Sequence, residues 1–255
     1  MSDRIVKIAI LLPLLAMFNV AVFAQETNSF TADRPGSTTG PDVLPKGRFQ
    51  WETGFGYEYS KNDGERKDNF TINTSLFRFG VTDNVEVRFG IDGMYTKEQD
   101  RKYGGVANVS IGTKIALFEG RKAIPAISLL GNVYIPGCKD SNYLPQNVGG
   151  SMNLLFKNEI CSWFSLGYQV GLSWKDNAKP TTFAGVSFGF APTDKLGLFI
   201  EQYNNFHDEI SCMSEIGASY MVHPRVQIDL ATDIDLRHFG NFHNVMVGVA
   251  WQIYK

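Results

Sequence analysis

Apolar side chains recur at every second position through successive segments of about ten residues, from residue 48 to the end of the chain. In 226–235, Val, Ile, Leu, Thr and Ile alternate with Gln, Asp, Ala, Asp and Asp. Because successive side chains of a strand point to opposite faces of its sheet, this period predicts strands with one apolar and one polar face. About twelve such segments, each close to the roughly 9–11 residues that cross a bilayer at a tilt, predict an all-β fold, a closed antiparallel transmembrane β-barrel.

The segments are separated alternately by short turns and by longer polar loops, as in barrels with periplasmic turns and external loops. An even number of strands returns both termini to the periplasmic side, and closure is required because an open edge in lipid would leave backbone groups unpaired. A ten-stranded barrel stays open as an alternative if the hairpin 136–157 does not form. The strands are predicted at 48–59, 69–81, 85–95, 106–117, 124–135, 147–157, 164–174, 181–191, 196–205, 211–221, 226–235 and 243–254.

The beginning of the chain predicts export. Residues 1–24 carry Arg4 and Lys7, then an apolar stretch, then Val-Phe-Ala at 22–24, which is the pattern of a signal peptide cleaved before Gln25. The alternative is an N-terminal anchor helix, for which the apolar stretch is short. Residues 25–47 contain three prolines and three glycines, which exclude a regular helix or an interior strand. An extended segment, either periplasmic or tucked into the barrel, is therefore predicted to precede the barrel at 48–255.

Composition and aromatic placement narrow the class further. The mean hydropathy of −0.14 is too polar for a helical membrane protein, and the formal charge of −2 gives no argument for a nucleic-acid partner. A soluble β-sandwich or a lipocalin-like barrel would also alternate, with its apolar faces turned into a core. Aromatic residues at both ends of an apolar face instead match the interfacial girdles of membrane barrels. The first strand carries Phe49, Trp51, Phe55, Tyr57 and Tyr59 on one face.

If the apolar face meets lipid, the other face of each strand lines the lumen. An Arg or Lys facing lipid at the bilayer midplane would cost about 2–4 kcal/mol, so the parity of charged residues is a strong constraint. Nine acids and four bases are predicted to face inward, which favours either an acid-rich channel for cations and small polar solutes or a structural network of neutralised charges. The predicted inward residues are Glu52, Glu58, Arg78, Glu86, Arg88, Asp92, Lys114, Lys157, Glu201, Glu215, Asp229, Asp233 and Asp235.

The start of the predicted mature chain resembles a known family. Residues 31–35 read Thr-Ala-Asp-Arg-Pro, a Ser/Thr/Gly-rich stretch follows at 37–40, and the first strand has Gln50, Glu52 and Gly54 in step. These elements, with the turn and strand at 80–90, resemble the outer-membrane barrel family labelled "putative MetA-pathway of phenol degradation", whose members are described as transporters. The resemblance implies a barrel and a role in the passage of small solutes, aromatic or amphipathic ones among them.

Asp33 and Arg34 form a short charged element ahead of the first strand. Such an element could enter the periplasmic mouth and pair with lumen charges as a small plug. The alternative is a salt-bridged strap over the rim of the barrel. Deletion of 25–40 should raise conductance if the element is a plug, and should leave it unchanged if it is not.

Catalytic and metal-binding patterns are weak in this chain. A rim hydrolase would need a Ser and a His near one another on the outer face, and His243 with Ser211 or Ser214 is the pairing to test. The histidines at 238 and 243 have a poor spacing for a metal, and no cofactor is predicted. The three cysteines, Cys138, Cys161 and Cys212, are widely spaced and predict neither a zinc site nor a disulfide framework.

The sequence therefore predicts a non-catalytic barrel in the outer membrane of a Gram-negative-type bacterium that passes small solutes through a charged lumen. A non-conducting structural or surface-interaction barrel is the alternative, and a rim-located hydrolase is the third possibility. The partners expected are outer-membrane lipid, a small solute and the barrel-assembly machinery. The identity of the solute and the oligomeric state do not follow from the sequence.

Overall fold

The computed structural model describes residues 30–62, 64–121, 123–137, 141–176, 178–208, 210–237 and 240–253. The predicted signal peptide at 1–24, together with Cys138 and His238, lies outside the described residues. The strands are β1 Phe49–Asn62, β2 Glu65–Thr82, β3 Val85–Glu98, β4 Arg101–Arg121, β5 Ile124–Tyr134, β6 Gly149–Cys161, β7 Phe164–Trp174, β8 Thr181–Phe190, β9 Leu196–Phe206, β10 Ile210–His223, β11 Val226–Asp235 and β12 Phe242–Ile253.

The twelve strands form a closed antiparallel barrel in which each strand pairs with its neighbours in sequence. The first and last strands close the ring, with a continuous register from Phe49 opposite Ile253 to Ser60 opposite Phe242. This confirms twelve strands rather than ten, because the hairpin of β5 and β6 is formed. The described residues include no helix that is long and apolar enough to cross a membrane.

Burial follows the period-two pattern, and it is inverted relative to a soluble protein. On β12 the side chains of Val245 and Val247 are 43% and 46% exposed, whereas those of Ala250 and Gln252 are buried. On β1 the polar residues Gln50 and Glu52 are buried on the inside of the barrel, while Phe55 is exposed on the outside. An apolar exterior around a polar interior is the arrangement of a membrane barrel, and it excludes the β-sandwich and the lipocalin-like barrel.

Aromatic rings form bands near both rims. Close to the short turns, Phe77 stacks on Trp51 with ring centroids 6.1 Å apart and on Phe89 at 6.1 Å. Toward the long loops, Phe70 packs against Tyr57 at 5.2 Å and against Tyr95 at 6.2 Å. Bands of this kind lie at the two interfaces of a bilayer, where amphipathic rings contact the headgroups.

Two external loops are shorter than the sequence predicts. The predicted loops 60–68 and 96–105 are mostly strand, because β1 and β2 are separated only by residues 63–64, and β3 and β4 only by 99–100. Backbone pairing continues here although the apolar alternation stops. The charged residues of these hairpin ends, such as Arg66 paired with Asp68 at 2.8 Å, need no apolar face because they lie outside the hydrocarbon region.

Candidate functional site

Residues 30–47, which we call the lumen segment, lie inside the barrel. The C-terminal end of the segment lies at the short-turn rim beside β2. There the Gly47 amide donates to the Gly80 carbonyl at 2.8 Å, and the Lys46 amide donates to the Asp83 carboxylate at 3.1 Å. Further in, Leu44 is fully buried and its amide donates to the Glu86 carboxylate at 2.8 Å. The Pro and Gly content prevents a strand here, so lumen side chains satisfy the backbone groups.

The lumen segment crosses from one wall of the barrel to the other. The Asp33 carboxylate contacts Lys114 of β4 at 2.8 Å, and the Ser37 amide donates to the Glu201 carboxylate of β9 at 2.7 Å. The Thr39 amide reaches Gln169 of β7 at 2.8 Å. Contacts to opposite walls place the charged element within the lumen rather than over the rim.

One wall is basic and holds Asp33. Lys114 Nζ donates to the two carboxylate oxygens at 2.8 and 3.0 Å, Arg78 lies 3.7 Å away, and Arg88 Nη1 also contacts Oδ2. Burial alone would raise the pKa of the Asp33 carboxyl, but the three positive charges outweigh that effect and hold its pKa well below the usual range. Asp33 is therefore an ionised carboxylate enclosed by three cations.

Two further carboxylates balance this basic wall. Arg78 contacts Glu52 at 2.8 Å and Glu86 at 2.9 Å, with all three side chains fully buried. Arg88 contacts Glu86 at 3.0 Å. Glu52 also accepts the amides of Asp33 and the following residue at 3.2 Å. The wall thus binds both the side chain and the backbone of the lumen segment.

Arg34 points away from the Asp33 site, toward β11. Its guanidinium donates to both oxygens of Asp229, at 3.1 and 3.3 Å, and to Thr74 at 3.2 Å. It lies against Gly54 and Gly248, which face each other across the β1–β12 seam. A Cβ at either glycine would overlap the guanidinium. The glycine pair therefore leaves the space in which Arg34 can reach its carboxylate partner.

The wall formed by β9, β10 and β11 is acidic. Glu201 and Glu215 are register partners on adjacent strands, both are buried, and both accept hydrogen bonds from the backbone amide of Ser37. The Ser37 hydroxyl also donates to Glu215 at 2.8 Å. Asp233 accepts the Tyr203 hydroxyl at 2.6 Å. Within the described part of the chain, no Lys, Arg or His forms an ion pair with these three acids, and one oxygen each of Glu201 and Glu215 is buried without a hydrogen-bond partner.

Nine of the thirteen predicted lumen residues contact the lumen segment directly, and four do not. Asp92 instead accepts the Asn108 amide at 2.7 Å, and Asp235 accepts the backbone amide of Arg237 at 2.8 Å. Asp233 accepts the Tyr203 hydroxyl at 2.6 Å, and Glu58 accepts the side-chain amide of Asn69 at 2.7 Å. The nine that contact it are Glu52, Arg78, Glu86, Arg88, Lys114, Lys157, Glu201, Glu215 and Asp229.

The sequence prediction assigned only charged residues to the lumen, and so it missed the uncharged residues of the site. Gln50 donates to the Thr31 carbonyl at 2.8 Å, and the Ser128 hydroxyl donates to the Pro41 carbonyl at 2.5 Å. Both are buried and occupy the inward positions of their strands. The same parity rule, applied to Gln and Ser as well as to charged residues, would have found them.

A small cavity lies beside the segment. It has a volume of about 110 Å³ and lies between Thr38–Pro41 and the wall residues Lys157, Ser165 and Gly189. At the long-loop end, the Tyr143 hydroxyl bonds to Thr96 at 2.8 Å and its ring packs on Tyr103 at 5.6 Å. Tyr143, in the connection between β5 and β6, therefore packs against the inner side of the β3–β4 hairpin.

The residues considered for catalysis are not brought together. His243 stacks on Tyr59 with ring centroids 6.5 Å apart, whereas the Ser214 hydroxyl donates to Gln202 at 2.6 Å. Strand β11 separates the strands that carry His243 and Ser214. Cys161 and Cys212 are free thiols. Among the described side chains, no group of three or more His, Cys, Asp or Glu is arranged to hold a metal ion.

A closed barrel with a lipid-facing apolar exterior, aromatic bands at both rims and a charged lumen defines an outer-membrane β-barrel protein. The chain matches the family described as "Putative MetA-pathway of phenol degradation" over residues 32–238, and it belongs to that family. A search of curated proteins found no significant match.

Solved structures share the fold at low sequence identity. The COG4313 outer membrane channel from Pseudomonas putida F1 has a TM-score of 0.71 at 8% identity, covering 86% of this chain and 99% of that chain. The NanC porin has a TM-score of 0.53 at 8% identity, covering 80% and 100%. The beta domain of the Bordetella autotransporter BrkA has a TM-score of 0.52 at 9% identity, covering 81% and 99%. At these identities the likeness shows the barrel fold alone.

Proposed function

We propose that this outer-membrane barrel is a non-catalytic channel for small solutes and that the lumen segment is its plug. The observation that carries the proposal is the segment at 30–47, which crosses the lumen and contacts opposite walls. Membership of the family supports a transport role. A further support is that the structural relative from Pseudomonas putida F1 is an outer membrane channel.

The contacts of the lumen segment suit a plug that can leave. The segment is held chiefly by ion pairs and by hydrogen bonds to lumen side chains, such as Arg34 to Asp229 and Ser37 to Glu201. Water can replace such polar contacts, so each contributes only about 0.5–1.5 kcal/mol net when both partners become hydrated, and more when the partners are charged. Strand pairing of the barrel is untouched when the segment leaves, because it adds no strand to the sheet.

The lumen left by the plug would carry an excess of negative charge. The inward-facing set has nine acids and four bases, so a water-filled lumen has a net charge near −5 from its wall. Rings and rows of carboxylates favour cations in pores. The open channel should therefore prefer potassium over chloride, with Asp229, Asp233, Glu201 and Glu215 as the residues that set this preference.

The test is single-channel conductance in planar bilayers. The mature chain 25–255 and a variant lacking 25–40 are refolded, and heat-modifiable migration confirms a folded barrel in each case. We expect rare or small steps from the mature chain, and larger, frequent steps with cation preference in a KCl gradient from the deletion variant. A folded deletion variant without steps would contradict the channel.

A non-conducting structural barrel is the second candidate, and the observation in its favour is that the segment crosses the lumen and is bound to its walls. The same experiment separates the two, because a structural barrel stays silent when its plug is removed. The proposal also includes export through cleavage of the signal peptide 1–24 and insertion by the barrel-assembly machinery. Edman or mass analysis of the N-terminus of the membrane-extracted protein tests the cleavage before Gln25.

A further inference from the structure

We propose that the site filled by the Asp33 carboxylate is the binding site for the carboxylate of a small monoanionic solute, which opens the channel by displacing Asp33. This inference rests on the proposed channel function and adds the class of ligand that opens the channel. In the closed state, the chain itself supplies the ligand, because Asp33 is the one acid of the lumen segment that the basic wall surrounds on several sides.

The charges of the wall favour one anion at this place. Three bases, Arg78, Arg88 and Lys114, face two wall acids, Glu52 and Glu86, which leaves a net charge of +1 (three minus two). Asp33 neutralises that charge in the closed state. When Asp33 leaves and water enters the lumen, the wall keeps one uncompensated positive charge, which favours the binding of another anion at this place.

Lys114 depends most strongly on the lumen segment. Its ammonium donates to the Asp33 carboxylate and to the carbonyls of Gly40 and Asp42, both at 3.0 Å, and all three acceptors belong to the segment. Arg78 and Arg88 keep wall carboxylates, Glu52 and Glu86, as partners when the segment leaves. The fully buried Lys114 loses all three of its hydrogen-bond acceptors on the segment. Lys114 is therefore the cation that an incoming anion would pair with first.

The geometry selects a carboxylate of single charge. Both oxygens of Asp33 are used, Oδ1 by Lys114 and Oδ2 by Arg88 and Lys114, which is the two-oxygen pattern that a solute carboxylate can reproduce. A dianion would exceed the +1 of the wall. It would also face the acidic wall of Glu201 and Glu215 across the lumen, so a second negative group would be repelled.

The first experiment uses Asp33→Ala in the mature chain, with single-channel open probability as the readout. The empty site loosens the plug, so we expect the variant to open more often than the wild type. Sodium acetate should then lower its open probability, because acetate fills the place of the missing carboxylate. In the wild type we expect the opposite effect: acetate or benzoate competes with Asp33 for the wall and should raise the open probability. Sodium chloride at equal ionic strength is the reference in both cases.

The matched control is Asp42→Ala, which removes the same charge from the same segment. Asp42 pairs with Lys157 at 3.3 Å and its side chain is 42% exposed, so no enclosed carboxylate site is left behind. Acetate should not differ from chloride in its effect on this variant. If Asp33→Ala does not fold, Asp33→Asn and the wild-type titration carry the test. Because a tethered carboxylate has an effective concentration on the order of millimolar, the titration must extend well above that level.

The outcomes separate the inference from the proposed function. Opposite responses of the wild type and Asp33→Ala to acetate support the carboxylate site. Equal effects of acetate and chloride on both proteins would overturn it, although a conducting deletion variant lacking 25–40 would still support the channel. If the deletion variant is folded and silent, the channel itself is refuted.

Discussion

Removal of the Arg34 side chain gives a quantitative test of the plug. In Arg34→Ala the plugged state would leave the Asp229 carboxylate buried without its bidentate partner. The Asp229 side chain is fully buried and that of Arg34 is 12% exposed, with contacts at 3.1 and 3.3 Å. Breaking a buried ion pair costs about 3–5 kcal/mol. We take about 3 kcal/mol, the lower end, because water enters the open lumen and hydrates Asp229 there.

A change of 1.4 kcal/mol is about tenfold in an equilibrium constant, so about 3 kcal/mol raises the ratio of open to plugged channels on the order of 100-fold. Open probability in planar bilayers measures this ratio for the wild type, Arg34→Ala, Asp229→Asn and the double variant. Since the double variant leaves no unpaired charge, it should open less often than Arg34→Ala alone, and the double-mutant cycle gives the pair energy. An open probability of Arg34→Ala within a few-fold of the wild type would refute the assignment of this pair as a latch.

Three further perturbations follow from the same contacts. Gly248→Ala places a Cβ on the Arg34 guanidinium and should raise the open probability of a folded barrel. Gly93→Ala, where an added Cβ meets nothing, should not, and equal effects of the two variants would contradict the role of the Gly54–Gly248 pair in making space for Arg34. Glu215→Gln removes one of two adjacent carboxylates that lack a base while keeping a hydrogen-bond acceptor, so it should raise the midpoint of thermal unfolding and lower the open probability; a more open channel would contradict this view of the acidic wall. The three cations hold the pKa of Asp33 far below its unfolded value near 3.9, so the stability it contributes is present above the unfolded pKa and is lost only as the pH falls through the folded pKa. The Asp33 contribution should therefore persist between pH 7 and 4.5, measured as the difference in open probability between the wild type and Asp33→Asn, and loss of that difference by pH 4.5 would count against the assigned environment.

The fold could be predicted almost entirely from local pattern. Arg78 lies between Phe77 and Phe79, and the cost of a charge in lipid predicted that Arg78 faces the lumen and both phenylalanines face outward. Arg78 is fully buried and Phe79 is 44% exposed. The ends of the strands were harder to predict from the sequence. Beyond residue 60 the apolar alternation stops while backbone pairing continues, so the predicted loop at 60–68 proved to be mostly strand.

What the sequence determined by itself is the set of lumen-facing residues, since side-chain direction in a strand has a period of two and depends only on position along the chain. What only the tertiary structure decided is which of them meet. Asp33 lies 55 and 81 positions from Arg88 and Lys114, and Gly54 meets Gly248 only because β1 pairs with β12. Closure of the ring sets which strands lie on opposite sides of the lumen, and no local sequence pattern encodes which strands face each other. The position of the lumen segment between a basic and an acidic wall is therefore a property of the closed barrel and not of any one segment.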